Sequence, residues 1–166
     1  MEKTPPLIVT AAPLPSALPA SGSQLQSRAI AALFFAASMG VLLLAFWLHP
    51  STGGVGTHKQ LGLPACGLLE STGVPCATCG MTTSFSLAAH GRLIDSFINQ
   101  PGGGMLAIVT AMVAVAGGFT LMTGVSLWPM VSGLFRPSFF ILTGVFFALA
   151  WLYKIAAVLG YIPGVS

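Results

Sequence analysis

Three long apolar stretches decide what this chain can fold into. Residues 29–48 and 105–127 contain no Asp, Glu, Lys or Arg, and residues 138–160 contain only Lys154. A helix of 20 residues rises about 30 Å, the thickness of a bilayer's hydrocarbon core. The rest of the chain cannot offset this oiliness in water. Nine charged side chains, 5% of 166 residues, cannot cover the surface of a soluble fold, where about 25% is usual. The bilayer is the solvent that fits. The expected fold is an all-α polytopic membrane protein: three transmembrane helices plus a short interfacial or re-entrant amphipathic helix.

The remaining segments divide around these spans. Residues 1–27 carry five prolines and no helical or alternating period, and they read as a disordered Pro/Ser/Ala-rich tail. Residues 28–160 form the membrane domain, and 161–166 a short tail. The first apolar run starts too late and lasts too long for a cleaved signal peptide, so it reads as an anchor. Trp47 and His49 mark its end at headgroup level, and Pro50 with Gly53-Gly54 stops it. Gly102-Gly103-Gly104 reads as a flexible hinge into the second span, which Trp128 and Pro129 close. Trp151, Tyr153 and Tyr161 read as an interfacial belt on the third, with Lys154 snorkelling outward.

Partners follow from the same reading. The formal charge of +3 is scattered, so nucleic acid is not expected. The lipid bilayer is the expected environment. Small residues four apart, as at Ala32/Ala36/Gly40 and Ala107/Ala111, allow close helix contact with copies of the chain or with another membrane protein. Lys3, Arg28 and Arg136 fall on one side, and a positive-inside bias places the N-terminus in the cytoplasm.

The chemistry concentrates in residues 60–101. Cys66 precedes the turn Thr72-Gly73, and Pro75 leads into Cys76-Ala77-Thr78-Cys79-Gly80-Met81. A helix is expected from Cys79 to His90, where Gly91 ends it, followed by a short piece from Leu93 to Asn99. Cys76 then sits just outside a helix start and Cys79 in its first turn. Unsatisfied N–H groups there favour a thiolate, which binds soft metals or exchanges disulfides. Cys66, Cys76 and Cys79 are therefore candidates for a metal site or a disulfide. His58 and Met81 are weaker ligand candidates. His90 completes a Cys3His count, but about 16 Å of helix separates it from Cys79. Arg92 and Lys154 are candidate interface residues, and Asp95 is expected to pair with Arg92.

The order Cys66, Thr72-Gly73, Cys76-Ala77-Thr78-Cys79-Gly80-Met81-Thr82, His90-Gly91-Arg92 and Asn99-Gln100-Pro101 resembles the DUF2752 family of bacterial membrane proteins of unknown function. Ala77 and Thr83 stand where that family usually has Pro and Arg. The resemblance covers roughly residues 60–125 and implies a multi-pass protein of the bacterial inner membrane with a cysteine motif, and no established activity. Paired carboxylates, a Gly-rich phosphate loop and a Ser/His/Asp set are all missing, so an enzyme is not expected. No obligate cofactor is expected either, although zinc or copper suits the thiols. Two roles stay open: an accessory or structural protein with its cysteine turn at the membrane face, or a membrane protein of thiol-redox or soft-metal chemistry.

Overall fold

The computed structural model describes residues 21–125 and 136–162. Six α-helices and one 3-10 helix make up the described chain: α1 (Ser21–Trp47), the 3-10 helix (Thr57–Leu61), α2 (Gly67–Thr72), α3 (Met81–Ala89), α4 (Leu93–Asn99), α5 (Pro101–Thr123) and α6 (Pro137–Val158). Three of them, α1, α5 and α6, are long and apolar enough to cross a membrane. Their outer faces carry exposed Leu, Phe, Val and Met, as lipid-facing surfaces do. The chain is an integral membrane protein, and the described part is all-helical.

The boundaries differ from expectation in ways that have causes. Helix α1 starts at Ser21, eight residues before the apolar run, because a helix continues past the hydrocarbon edge where its N–H groups meet water. The last seven residues assigned to the tail are thus helical, and residues 1–20 lie outside the described part. Helix α5 ends at Thr123, earlier than residue 127. Gly124 takes the left-handed conformation (φ 74°) and returns its N–H to Thr120 O. Trp128 and Pro129 fall outside the described residues.

The glycine run is no hinge. Gly102, Gly103 and Gly104 form the first turn of α5, opened by Pro101 with its preset φ. All three are buried because neighbouring elements press on them. A Cβ on Gly103 would lie 2.7 Å from Ser84 Cβ, and one on Gly104 3.2 Å from the Phe97 ring. Lower down, a Cβ on Gly117 would meet Ala31 O at 3.1 Å, where α1 and α5 cross closely.

Alternating crossings bring the C-terminus of α1, the N-terminus of α5 and the C-terminus of α6 to one membrane face. The 3-10 helix and α2, α3 and α4 fold over that face as a cap. Helix α3 is the short amphipathic helix expected from the sequence, and it turns its hydroxyl-bearing side inward. It buries Thr83, Ser84 and Ser86 and leaves Met81, Phe85, Ala88 and Ala89 partly exposed. The cap's interior is a hydrogen-bond network instead of an oily core. Ser84 and Ser96 exchange hydroxyl donors with each other's carbonyls (3.0 and 2.7 Å). Asn99 Nδ2 donates to Gly80 O and Ser84 Oγ (3.0 and 2.9 Å). Thr57 and Thr83 hydroxyls meet at 2.8 Å, and Ser86 Oγ donates to Leu48 O at the end of α1. In surroundings that offer little water, each satisfied donor avoids a penalty of about 1–3 kcal/mol.

Helix α6 packs on α5 and is tied to the cap by three donors near its end. Trp151 Nε1 donates to Pro75 O (3.0 Å) and Tyr153 OH to Ile98 O (2.7 Å). Lys154 reaches Gly54 O, Asn99 O and Asn99 Oδ1 at 3.3, 3.1 and 3.0 Å. Trp151 and Tyr153 thus brace the cap, while Tyr161 stays exposed. Lys154 does not snorkel: it is 1% exposed. Carbonyls left free by the loop at Gly54 and the end of α4 give its ammonium a closer set of acceptors than the headgroup region.

Candidate functional site

The cap's cysteines come from two segments. Cys66 is the N-cap of α2, a six-residue helix that ends at Gly73 (φ 72°). That helix turns the chain back, so that Pro75 and the next residues run beside Cys66. Cys76 to Gly80 form consecutive turns, with Cys79 N–H on Cys76 O and Met81 N–H on Thr78 O (3.0 and 3.1 Å). Cys79 therefore lies in the turn before α3, not in its first turn as expected. Gly80 caps α3 at φ 85°, where a Cβ would lie 2.9 Å from both Gly54 O and Lys154 Cε. Gln100 Nε2 supports the turn from below through Ala77 O (3.1 Å).

The result is a triangle of sulfur. The Sγ atoms of Cys66, Cys76 and Cys79 all lie within 4.8 Å of one another, and Cys76 and Cys79 are 3.3 Å apart. Cys79 is buried, while Cys66 and Cys76 are half-buried. All three are free thiols, and Cys76 Sγ also contacts Thr78 Oγ1 at 3.3 Å.

Their electrostatics differ from the expectation that the Cys-x-x-Cys pair would hold the activated thiol. Cys66 is the thiol drawn down, to about 6. The leading cause is the Leu69 N–H at the third position of α2; the thiols of Cys79 and Cys76 and the Cys76 N–H add to it. The Leu69 N–H falls short of a capping hydrogen bond but is close enough to favour negative charge on sulfur. Burial pushes Cys79 up to about 12, with the neighbouring sulfurs of Cys66 and Cys76 adding to it. One half-buried thiolate beside one buried thiol is a graded site, ready to lose further protons when a cation arrives.

The other candidates sort themselves around this triangle. His58 and Met81 line the same cavity of about 530 Å³ as the cysteines, walled by Val41 and Leu44 of α1 and by Leu48 just past its end. His58 Nε2 is engaged with Pro64 O at 3.1 Å, so it stands beside the cluster without joining it. His90 is not brought in: its Nδ1 donates to Ser86 O (2.8 Å) and its ring stacks on Phe46. Arg92 pairs with Asp95 at 2.7 Å on the exposed surface, as the three-residue spacing predicts. Lys154 is not an interface residue but part of the cap's buried frame. Asn99, Gln100, Ser84 and Thr57 escaped sequence reasoning as parts of that frame. Their one visible signal is the amide pair Asn99-Gln100 set directly before an apolar helix.

Residues 66–114 match the model of a family described as a protein of unknown function, DUF2752, which supports assignment of the chain to that family. The matched segment begins at the first cysteine of the triangle and ends inside α5. No curated protein and no solved structure matches the chain.

Proposed function

We propose that this protein is an accessory integral membrane protein whose cap holds a soft metal ion, zinc or copper(I), on Cys66, Cys76 and Cys79. It acts by binding and not by catalysis. The observation that carries this reading is the convergence of three thiols from two segments within 4.8 Å. Sulfurs about 2.3 Å from a zinc ion stand roughly 3.8 Å apart in tetrahedral geometry, so small shifts bring this triangle onto a metal. A disulfide explains only two of the three. The bend made by α2, which brings Cys66 back to the pair, has no use in that case. A soft ion also suits Met81, which lines the same cavity. His58 or a water completes a fourth position.

We place the protein in a bacterial inner membrane with its N-terminus inside, and the charge distribution supports that orientation. Arg28 and Arg136 lie at the membrane face opposite the cap, at the starts of α1 and α6. Withdrawal of Lys154 into the cap leaves Lys59 and Arg92 on that side against Lys3, Arg28 and Arg136 on the other, an excess of one positive charge on the N-terminal side. The cap then faces the periplasm or the cell exterior.

The test is metal content and thiol count on the full chain, purified in detergent under reductant and then exposed to zinc or to copper(I). About one metal per chain is expected, with thiols protected from alkylation while it is bound. Cys79→Ser should weaken binding beyond the 10–100-fold typical of losing a mere supporting contact. Three alkylatable thiols with no metal uptake would refute the reading. A Cys76–Cys79 disulfide that persists without reductant would replace it with a structural bridge.

A further inference from the structure

Lys154 is the largest fully buried side chain described, and it is a cation. Its ammonium has three N–H donors, and the cap sets three oxygens around it: Gly54 O, Asn99 O and Asn99 Oδ1, at 3.0–3.3 Å. A neutral amine would turn its lone pair toward one of these oxygens, so the arrangement fits the charged form. Hydrogen bonds satisfy the donors but do not cancel the charge, and a buried charge needs a counter-ion. Carboxylates do not supply it. The described acids are Glu70, which is exposed, and Asp95, which is paired with Arg92. The ammonium lies instead against Gly80, with Nζ 3.1 Å from where a Cβ on that residue would stand. Gly80 is the next residue after Cys79, so the ammonium sits directly behind the cysteine turn, where a thiolate formed at Cys79 on metal binding would face it.

We infer that Lys154 is the built-in counter-charge of the sulfur site, a positioning residue that neutralises the excess negative charge of a metal held by Cys66, Cys76 and Cys79. This rests on the metal reading above. Three thiolates around zinc(II) carry one net negative charge, and around copper(I) they carry two. A fixed positive charge beneath the site stabilises both complexes, the copper(I) one about twice as strongly in free energy. A second consequence explains Gly80: any side chain there would push the ammonium away from the sulfurs.

The experiment measures zinc(II) and copper(I) affinities of the full chain in detergent by chelator competition, for the parent protein, Lys154→Met and Lys154→Gln. Gln keeps a donor for the Asn99 and Gly54 oxygens without charge, and so guards against a variant that merely fails to fold. Zinc affinity should fall at least about tenfold and copper(I) affinity about as the square of that factor. Equal losses for the two metals would show a purely structural lysine, and unchanged affinities would show an irrelevant one; either overturns the inference alone. Parent protein that takes up neither metal overturns the metal reading and this inference together.

Discussion

Gly80→Ala should be among the most damaging single-methyl additions in this protein, and its cost can be set against an internal control. Two penalties combine. Gly80 has φ 85°, and an L-residue held in the left-handed region costs about 1–2 kcal/mol. The new Cβ would also lie 2.9 Å from the backbone oxygen of Gly54 and 2.9 Å from Lys154 Cε. Moving a backbone oxygen in a packed site costs about 1–3 kcal/mol. The sum is roughly 2–5 kcal/mol. Gly73 is the control: its φ is 72°, and a Cβ there meets nothing within 4 Å. Gly73→Ala should therefore cost only the backbone part, about 1–2 kcal/mol. Denaturant unfolding of both variants in the same detergent, followed by helical circular dichroism, gives the difference directly. If Gly80→Ala is no worse than Gly73→Ala, the cap does not close on Gly80 as described, and the contact between Lys154, Gly54 and the cysteine turn is wrong.

Further outcomes follow from other contacts. Trp151→Phe keeps a six-membered aromatic ring but loses the pyrrole portion of the indole with its N–H on Pro75 O, and should cost at least the about 0.5–1.5 kcal/mol of that hydrogen bond by the same unfolding assay. Thr57→Val leaves the buried Thr83 hydroxyl without its partner and should cost about 1–3 kcal/mol, whereas Asp95→Asn, at an exposed pair, should stay below about 1 kcal/mol. In reduced, metal-free protein at pH 7, iodoacetamide should modify Cys66 first. Its thiolate forms as pH rises through about 6, while Cys79, pushed up to about 12, stays protonated; mass mapping that finds Cys79 labelled first would contradict this order.

How much of this was legible in the sequence depends on which interaction decides each feature. The spans were legible because lipid imposes a coarse demand, length without charge, that α1, α5 and α6 meet openly. Their ends were less so. Gly102–Gly104 reads as a breaker by propensity, yet tertiary packing uses the same missing side chains to admit Ser84, Phe97 and Phe147. Cys66 was recognisable as a residue able to fold back on Cys76 and Cys79, because a turn lay between them. The activated thiol was misplaced because α2 is only six residues long and has no periodicity to find. Lys154 was misread for a different reason. A lysine near a span end usually escapes to water, and only the fold reveals the three oxygens that hold it inside. The inward face of α3, with Thr83, Ser84 and Ser86, was not legible because, in a cap backed by lipid, hydroxyls find partners within the protein sooner than at its surface.

The three donors that tie α6 to the cap have a consequence for how the protein comes into being. Ribosomes release α6 after the whole segment from Gly54 to Asn99, so that segment must wait, with its carbonyls still wet, for a helix that has not yet entered the bilayer. Arrival of Trp151, Tyr153 and Lys154 then locks it in a single late event. A chain stalled before α6 should therefore leave the acceptors on Gly54, Pro75, Ile98 and Asn99 open to water, and the cap around the thiol triangle closes fully only after complete insertion.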